Sequence, residues 1–318
     1  MKLKKVKHFN IILLAITIVL CLLYNFVSLN QAKKYSKVSQ YPMQGYGIEL
    51  KNSDGSNCDN FSLKCRNNEF NYRVKFVNNT DKASKFILSA YIDYNQVSFY
   101  SENNALITNY EFSLGNQSEK DIPIKFNVNN YNKGTHVLNF IVYTNVGKGM
   151  SYIKENPDVY QITSRHNLVL GDNKDIKKTE LSFCDTTYKS NKTMFQLNID
   201  KDLPIKDDTI NQSLQIKAKP DQIVKIPVNV GSFEGTDEYV FWATLDYKQV
   251  SIDENSNYWY FKLPEKYATS RSIEIKAPHD RGTYRLNGFL APNPWNKIGE
   301  SEKFSDVQSS NIVELVVN

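Results

Sequence analysis

Side chains able to carry chemistry are few in this sequence and widely separated. Of its four histidines, His8 sits in a short basic N-terminal stretch, leaving His136, His166 and His279 as candidate general bases. None has a cysteine or second histidine at metal-ligand spacing. Local nucleophile, phosphate and zinc signatures are missing too: there is no G-x-S-x-G elbow, phosphate loop, H-E-x-x-H or C-x-x-C. A hydrolase built on this chain would therefore have to assemble its site from distant loop residues. The oxygen-rich stretches NSDGSNCDN at 52–60 and DKDLPIKDD at 200–208 could offer ligands to Ca²⁺ outside a cell, but their spacing fails the EF-hand pattern. They read as solvated turns, and no cofactor is expected.

Cys58 and Cys65 flank a short polar stretch, NCDNFSLKC. In an oxidising compartment they are expected to close a small disulfide loop, contributing roughly 2.5 kcal/mol in the chain-entropy picture. Cys21 lies in an apolar run behind Leu20, where a lipidation site would want a small residue, and Cys184 has no evident partner and reads as buried. Tryptophan and tyrosine offer the other plausible recognition surface. NYWYFKLP at 257–264 and APNPWNK at 291–297 place Tyr258, Trp259 and Trp295 near predicted loops, where rigid aromatic plates could stack on a glycan or a partner protein. Strand alternation directs Trp259 towards the core, which makes Trp295 the better surface candidate. Five N-x-S/T sequons begin at Asn60, Asn78, Asn116, Asn191 and Asn211; they matter only in a host that glycosylates exported proteins.

The elements that position these residues come in two copies. SAYIDYNQVSF at 89–99 aligns with WATLDYKQVSI at 242–252, and the matches Asn109-Tyr110 with Asn257-Tyr258, 122–125 with 273–276, and GTHVLN with GTYRLN at 134–139 and 282–287 follow in the same order. Asp93, Tyr94 and Gln96 thus recur as Asp246, Tyr247 and Gln249. A polar ligand could use that carboxylate, phenol and amide. Their presence in both copies favours a scaffold role, with each Asp accepting backbone N–H bonds from its turn. Gly134 and Gly282 read as turn positions needing positive φ. Along each strand, Leu88, Ala90 and Ile92 share one face, as do Phe241, Ala243 and Leu245, and both sets are expected in a core.

Short alternating runs such as RVKFV, IPIKFNV and VKIPVNV are separated by turn formers about every ten residues, with no sustained helical period beyond the N-terminus. The expected fold is all-β: two tandem antiparallel β-sandwich domains, resembling immunoglobulin and fibronectin modules in architecture only, after an N-terminal transmembrane helix. Boundaries are set at 1–10 for a basic tail, 11–29 for the anchor, 30–45 for a linker, 46–171 for repeat one, 172–180 for a charged linker and 181–318 for repeat two. Each repeat is expected to fold independently.

Residues 11–29 carry no charge and are long enough to cross a bilayer. The rival is a cleaved signal peptide, but the run lacks an A-x-A-like cleavage site. Either way the bulk of the chain is expected outside the cytoplasmic membrane. Residues 1–37 hold seven lysines and no acid, so the rest of a chain of net charge +5 is net negative, and nucleic acid has no basic surface to bind. The expected protein is single-pass and non-enzymatic, with an unidentified protein or glycan ligand or a part in surface assembly. A secreted or anchored hydrolase is the alternative.

Overall fold

A computed structural model describes residues 45–58, 62–65, 68–144, 146–148, 161–171, 181, 187–191, 193–197, 214–253, 256–296 and 306–318. The chain divides into Met1–Gly45 and a compact unit Tyr46–Asn318. The expected anchor at 11–29 and linker at 172–180 lie outside the described residues, among which there is no helix long and apolar enough to cross a membrane. Every regular element described is a strand. The first half comprises β1 (Tyr46–Asn52), β2 (Ser62–Lys64), β3 (Glu69–Asn78), β4 (Ser84–Ile92), β5 (Asn95–Val97), β6 (Phe99–Tyr100), β7 (Leu106–Ile107), β8 (Asn109–Leu114), β9 (Ser118–Asn127), β10 (Gly134–Tyr143) and β11 (Gln161–Leu170). The second comprises β12 (Thr187–Lys189), β13 (Met194–Leu197), β14 (Leu214–Ala218), β15 (Ile223–Gly231), β16 (Glu238–Leu245), β17 (Lys248–Val250), β18 (Tyr258–Lys262), β19 (Tyr267–Lys276), β20 (Gly282–Pro292) and β21 (Gln308–Val317).

Four sheets result. Sheet I has the order β1-β3-β9-β6-β7, and sheet II the order β2-β11-β10-β4-β5 with β8 also on β4. Sheet III runs β12-β19-β15-β13, and sheet IV β14-β21-β20-β16-β17 with β18 also on β16. The pairing is antiparallel apart from two short parallel ladders, β2 with β11 and β14 with β21, a departure from the all-antiparallel expectation. They occur at matching places: in each half an early strand runs beside the last one.

Sheets I and II enclose one core, in which Leu88, Ala90 and Ile92 meet Phe76, Phe86, Phe126 and Phe140. Sheets III and IV enclose another, with Phe241, Ala243 and Leu245 against Ile226, Trp259 and Leu290. The two strand faces expected to be apolar are therefore both interior.

The opposite faces of sheets II and IV are buried as well. Ile87, Tyr91, Val137, Ile141 and Tyr143 from the first half form a third cluster with Val240, Trp242, Tyr260, Phe289 and Ala291 from the second. Buried on both sides, β4, β10 and β16 read as near-continuous apolar runs instead of alternating ones. Local packing also records how the copies diverged. Gly288 stands where the first copy has Phe140; a Cβ there would lie 3.0 Å from the Phe241 ring and 3.1 Å from Phe195, so Phe195 fills space that a larger residue would take. Gly134 has the positive φ expected of it, at 149°, whereas Gly282 is not among the positive-φ glycines, which corrects that half of the expectation.

The third cluster changes what an isolated half should do. Residues 181–318 alone would expose Trp242 and Phe289, both fully buried in the whole chain, and should melt lower or aggregate. Trp242→Ala in the whole chain should cost about 3–5 kcal/mol in urea unfolding. A full-strength cooperative transition from 181–318 by itself would show that the cluster is dispensable.

Candidate functional site: the joint between the halves

The duplicated Asp-Tyr-x-Gln residues meet one another. Asp93-Tyr94 and Asp246-Tyr247 are the central pairs of two tight hairpin turns, with φ of 47° and 66° in the first and 44° and 70° in the second. Positive φ at both positions is the signature of a type I′ turn, whose twist matches that of the flanking strands. Each Asp accepts a backbone N–H, but from the neighbouring strand and not from its own turn: Val137 N–H donates to Asp93 Oδ1 at 3.0 Å and Arg285 N–H to Asp246 Oδ1 at 2.8 Å.

Beyond the turns, the glutamines cross between the halves reciprocally. Gln96 N–H donates to Gln249 Oε1 at 2.6 Å, and Gln249 N–H donates to Gln96 Oε1 at 2.8 Å. Gln96 Nε2 donates to the Tyr247 carbonyl at 3.0 Å and Gln249 Nε2 to the Tyr94 carbonyl at 2.7 Å. Residue i of one copy contacts j of the other while j's equivalent contacts i's, as in an isologous dimer contact. The duplicated polar cluster of the sequence thus forms an internal joint.

Tyr94 is the pivot of the surrounding aromatics. Its ring packs 5.2 Å from Trp242 and 5.3 Å edge-on from Trp295, and its hydroxyl donates to the Pro294 carbonyl at 2.6 Å. Burial holds its phenol well above the ordinary tyrosine range. Arg165 Nη2 donates to the same loop, to the carbonyls of Asn293 at 3.1 Å, Pro294 at 2.5 Å and Asn296 at 3.0 Å. Trp295 is accordingly only 3% exposed, which corrects the expectation of a surface plate: its proline-flanked loop is pulled into the joint by first-half residues far away in sequence. Trp259 is also buried, donating from Nε1 to Asp253 Oδ2 at 3.0 Å beneath the Arg271 guanidinium 4.4 Å away. Tyr258 is half-buried at the rim of the third cluster. The sequence did not single out Arg165; the unbroken apolar run around Trp242 was the available signal for a second buried face.

Each remaining histidine has a polar neighbour. His136 Nδ1 lies 2.6 Å from Asp93 Oδ2 and its Nε2 2.8 Å from the Asn132 carbonyl. Both partners are hydrogen-bond acceptors. His279 Nδ1 lies 2.7 Å from Asp221 Oδ2 on the surface, and that carboxylate raises the imidazole above its ordinary value. His166 Nε2 lies 2.7 Å from Ser164 Oγ. Desolvation lowers its pKa to about 4, which makes it a weak base. Among the described residues no group of three His, Cys, Asp or Glu could hold a metal. Cys58 and Cys65 are not joined in a disulfide, which corrects that expectation; both pack on the first core, and burial pushes the Cys65 thiol up to about 11. Of the sequons, Asn78 is fully buried with its amide donating to Lys82 and Gly115 carbonyls, Asn116 and Asn191 are exposed, and Asn60 and Asn211 lie outside the described residues.

The chain matches no protein family and no curated protein. Parts of it are similar to solved structures. A CARDB domain from Pyrococcus furiosus is 16% identical over 40% of this chain and 87% of that one, with a TM-score of 0.25. A family 123 glycoside hydrolase from Clostridium perfringens is 11% identical over 40% of this chain and 27% of that one, at 0.26. The C. elegans MSP family member WR4 is 10% identical over 40% of this chain and all of that one, at 0.23. At such TM-scores the fold is described by this chain's own strand order.

Two outcomes follow from the joint and the histidines. Gln96→Ala and Gln249→Ala should each lower stability by about 1–2 kcal/mol, since each side chain makes its own bonds to the backbone of the other turn; a double variant losing clearly less than the sum would show that breaking either set already opens the joint. Below the unfolded value near 6.5 an unfolded His166 takes up a proton that the folded one refuses until about pH 4. Stability should therefore fall as pH drops through that window, and His166→Gln should flatten the slope relative to the parent in pH-dependent unfolding.

Proposed function

We propose that this protein is a single-pass, membrane-anchored, extracytoplasmic protein whose two tandem Ig-like β-sandwiches display a rigid binding or assembly surface, without enzymatic activity. The observation carrying this proposal is the reciprocal Gln96–Gln249 joint. The residues most suggestive of chemistry, the duplicated Asp-Tyr-x-Gln set with Trp259 and Trp295, are used to lock the halves together and fill their interiors. The outer faces of sheets I and III carry surface ion pairs, including Lys75–Glu119 at 2.7 Å and Lys225–Glu274 at 2.8 Å, as suits solvated faces. A protein or glycan partner would meet such faces or the loop ends. The uncharged run at 11–29 supports anchoring.

The hydrolase alternative is favoured by one observation, Ser164 Oγ beside His166 Nε2. Against it stand the lowered imidazole pKa and the His166 Nδ1, which has no hydrogen-bond partner, and so no acid to orient the ring, among the described residues.

Protease added to intact spheroplasts should remove the chain beyond about residue 40 while the N-terminus stays in alkali-washed membranes. A soluble mature form starting near the end of the apolar run would replace the anchor with a cleaved signal. Hydrolysis of ester or peptide substrates that disappears in Ser164→Ala would overturn the non-enzymatic assignment.

A further inference from the structure

The two copies differ in one loop that the first copy uses to build a surface. Phe99 and Ile252 are equivalent and fully buried, but the segment 100–108 that follows the first is longer than its counterpart 253–256. In the second copy Ile252 N–H donates to the Ser256 carbonyl at 2.9 Å and closes a short turn. In the first, the longer segment forms the β6–β7 hairpin at the edge of sheet I, with Tyr100 opposite Leu106. Phe99 and Ile107 pack on the core, so alternation turns Tyr100 and Leu106 outward. At 43% and 59% exposure they are the exposed large apolar side chains of the described first half.

The hairpin completes a straight row across sheet I. Asn71 of β3 pairs with Lys125 of β9, Lys125 with Tyr100 of β6, and Tyr100 with Leu106 of β7, and all four are exposed. An amide, an ammonium, a phenol and an aliphatic side chain thus follow one another at the strand spacing of about 5 Å. Among the described residues Lys125 joins no ion pair and Tyr100 no hydrogen bond or ring contact. Glu69, one row further along β3, is not paired with Lys125, while lysines of the neighbouring rows are matched, Lys75 with Glu119 at 2.7 Å and Lys51 with Asp121 at 3.9 Å.

The equivalent row of the second copy is committed within the chain. Lys276, the counterpart of Lys125, lies 2.8 Å from Asp221, and Asp253, at the place of Tyr100, accepts from Trp259 Nε1 at 3.0 Å. A stable sandwich of this design therefore needs neither the hairpin nor an uncompensated cation beside two bare apolar side chains.

We propose that the row Asn71–Lys125–Tyr100–Leu106 is the docking surface for a partner protein, and that it takes an extended segment with a carboxylate two residues from a large apolar side chain. Two residues of extended chain advance about 6.8 Å, so a carboxylate over Lys125 sets the apolar side chain between Tyr100 and Leu106. Tyr100 is the anchor, and Lys125 is the rim charge that orients the segment. A second copy presenting the same row brings another ammonium and no carboxylate. A glycan would turn hydroxyls onto Leu106, which returns no hydrogen bond for the water they lose. The choice of a protein partner rests on the display role proposed above; the row itself depends on neither anchoring nor the absence of enzymatic activity.

The probe is acetyl-Ser-Glu-Val-Phe-Ser-amide carrying 4-fluorophenylalanine, titrated with the full-length chain in detergent and followed by fluorine NMR against a detergent blank. It should bind saturably with a Kd of about 1 mM or tighter, and the peptide with lysine in place of glutamate about fivefold or more weakly. Tyr100→Ala should weaken binding about fivefold or more at an unchanged melting temperature, whereas Tyr188→Ala, at an exposed tyrosine of the second half, should not. Lys125→Glu should reverse the preference, so that the lysine peptide binds better. No saturable binding, equal binding of the two peptides, or an unreversed preference in folded Lys125→Glu would each overturn the site. Trigalacturonate bound more tightly than the peptide would overturn it in favour of an anionic glycan, and a dimer abolished by Tyr100→Ala would overturn it in favour of a second copy. A cleaved N-terminus or a measured hydrolase activity would revise the preceding reading and leave these peptide results unchanged, so the two fail separately.

Discussion

Two tight turns, each built on Asp-Tyr, hold this protein together by exchanging hydrogen bonds through their glutamines. A tyrosine with positive φ costs on the order of 1 kcal/mol over an ordinary conformation, and this chain accepts that cost at both Tyr94 and Tyr247. The offset is visible around each ring. Tyr94 is fully buried between two tryptophans with its hydroxyl bonded, and Tyr247 packs edge-on against Tyr143 at 4.9 Å. Because the turns lie at the ends of β4 and β16, fixing them fixes the central strands of sheets II and IV. Those central strands then have no solvent face, since each is covered by its own half on one side and by the other half on the opposite side.

Joining the halves in this way decides which parts of the molecule can change. Many residues common to both copies, among them Ala90 and Ala243, Ile124 and Ile275, and the two glutamines, sit at the joint or in the cores, where a substitution disturbs two sheets at once. The differences appear elsewhere or come with a compensating change: Gly288 with Phe195 in place of Phe140, His136 on Asp93 where the second copy has Tyr284, and the short β6–β7 ladder found in the first half. Duplication with a fixed joint leaves the loop ends as the regions free to acquire distinct ligand chemistry, as is usual for loops carried on a rigid scaffold.

Much of the architecture is local enough to be read from sequence. Alternation and turn spacing determine short strands, the internal match from 89–99 to 242–252 determines a duplicated unit, and period-2 spacing assigns Leu88, Ala90 and Ile92, with Phe241, Ala243 and Leu245, to interiors. These properties depend on neighbours within a few residues. The structural role of Asp-Tyr-x-Gln was legible in the same way, since a motif present in both copies belongs to what the copies share. Its donor was not, because the backbone N–H groups of Val137 and Arg285 reach the two carboxylates from a strand about forty residues away.

Only the tertiary structure decided which faces meet. Alternation assigns a strand two faces but cannot say whether the second faces water or another sheet, and loop position alone let Trp295 be read as a surface residue. The burial of Trp242 and Trp295 comes from first-half residues, Tyr91, Tyr94 and Arg165, placed by a fold whose halves are more than a hundred residues apart along the chain. Sequence by itself determined the strands and their duplication, since these follow from local periodicity and self-similarity. The joint and the buried aromatics required the packing of one half on the other, which no local pattern encodes.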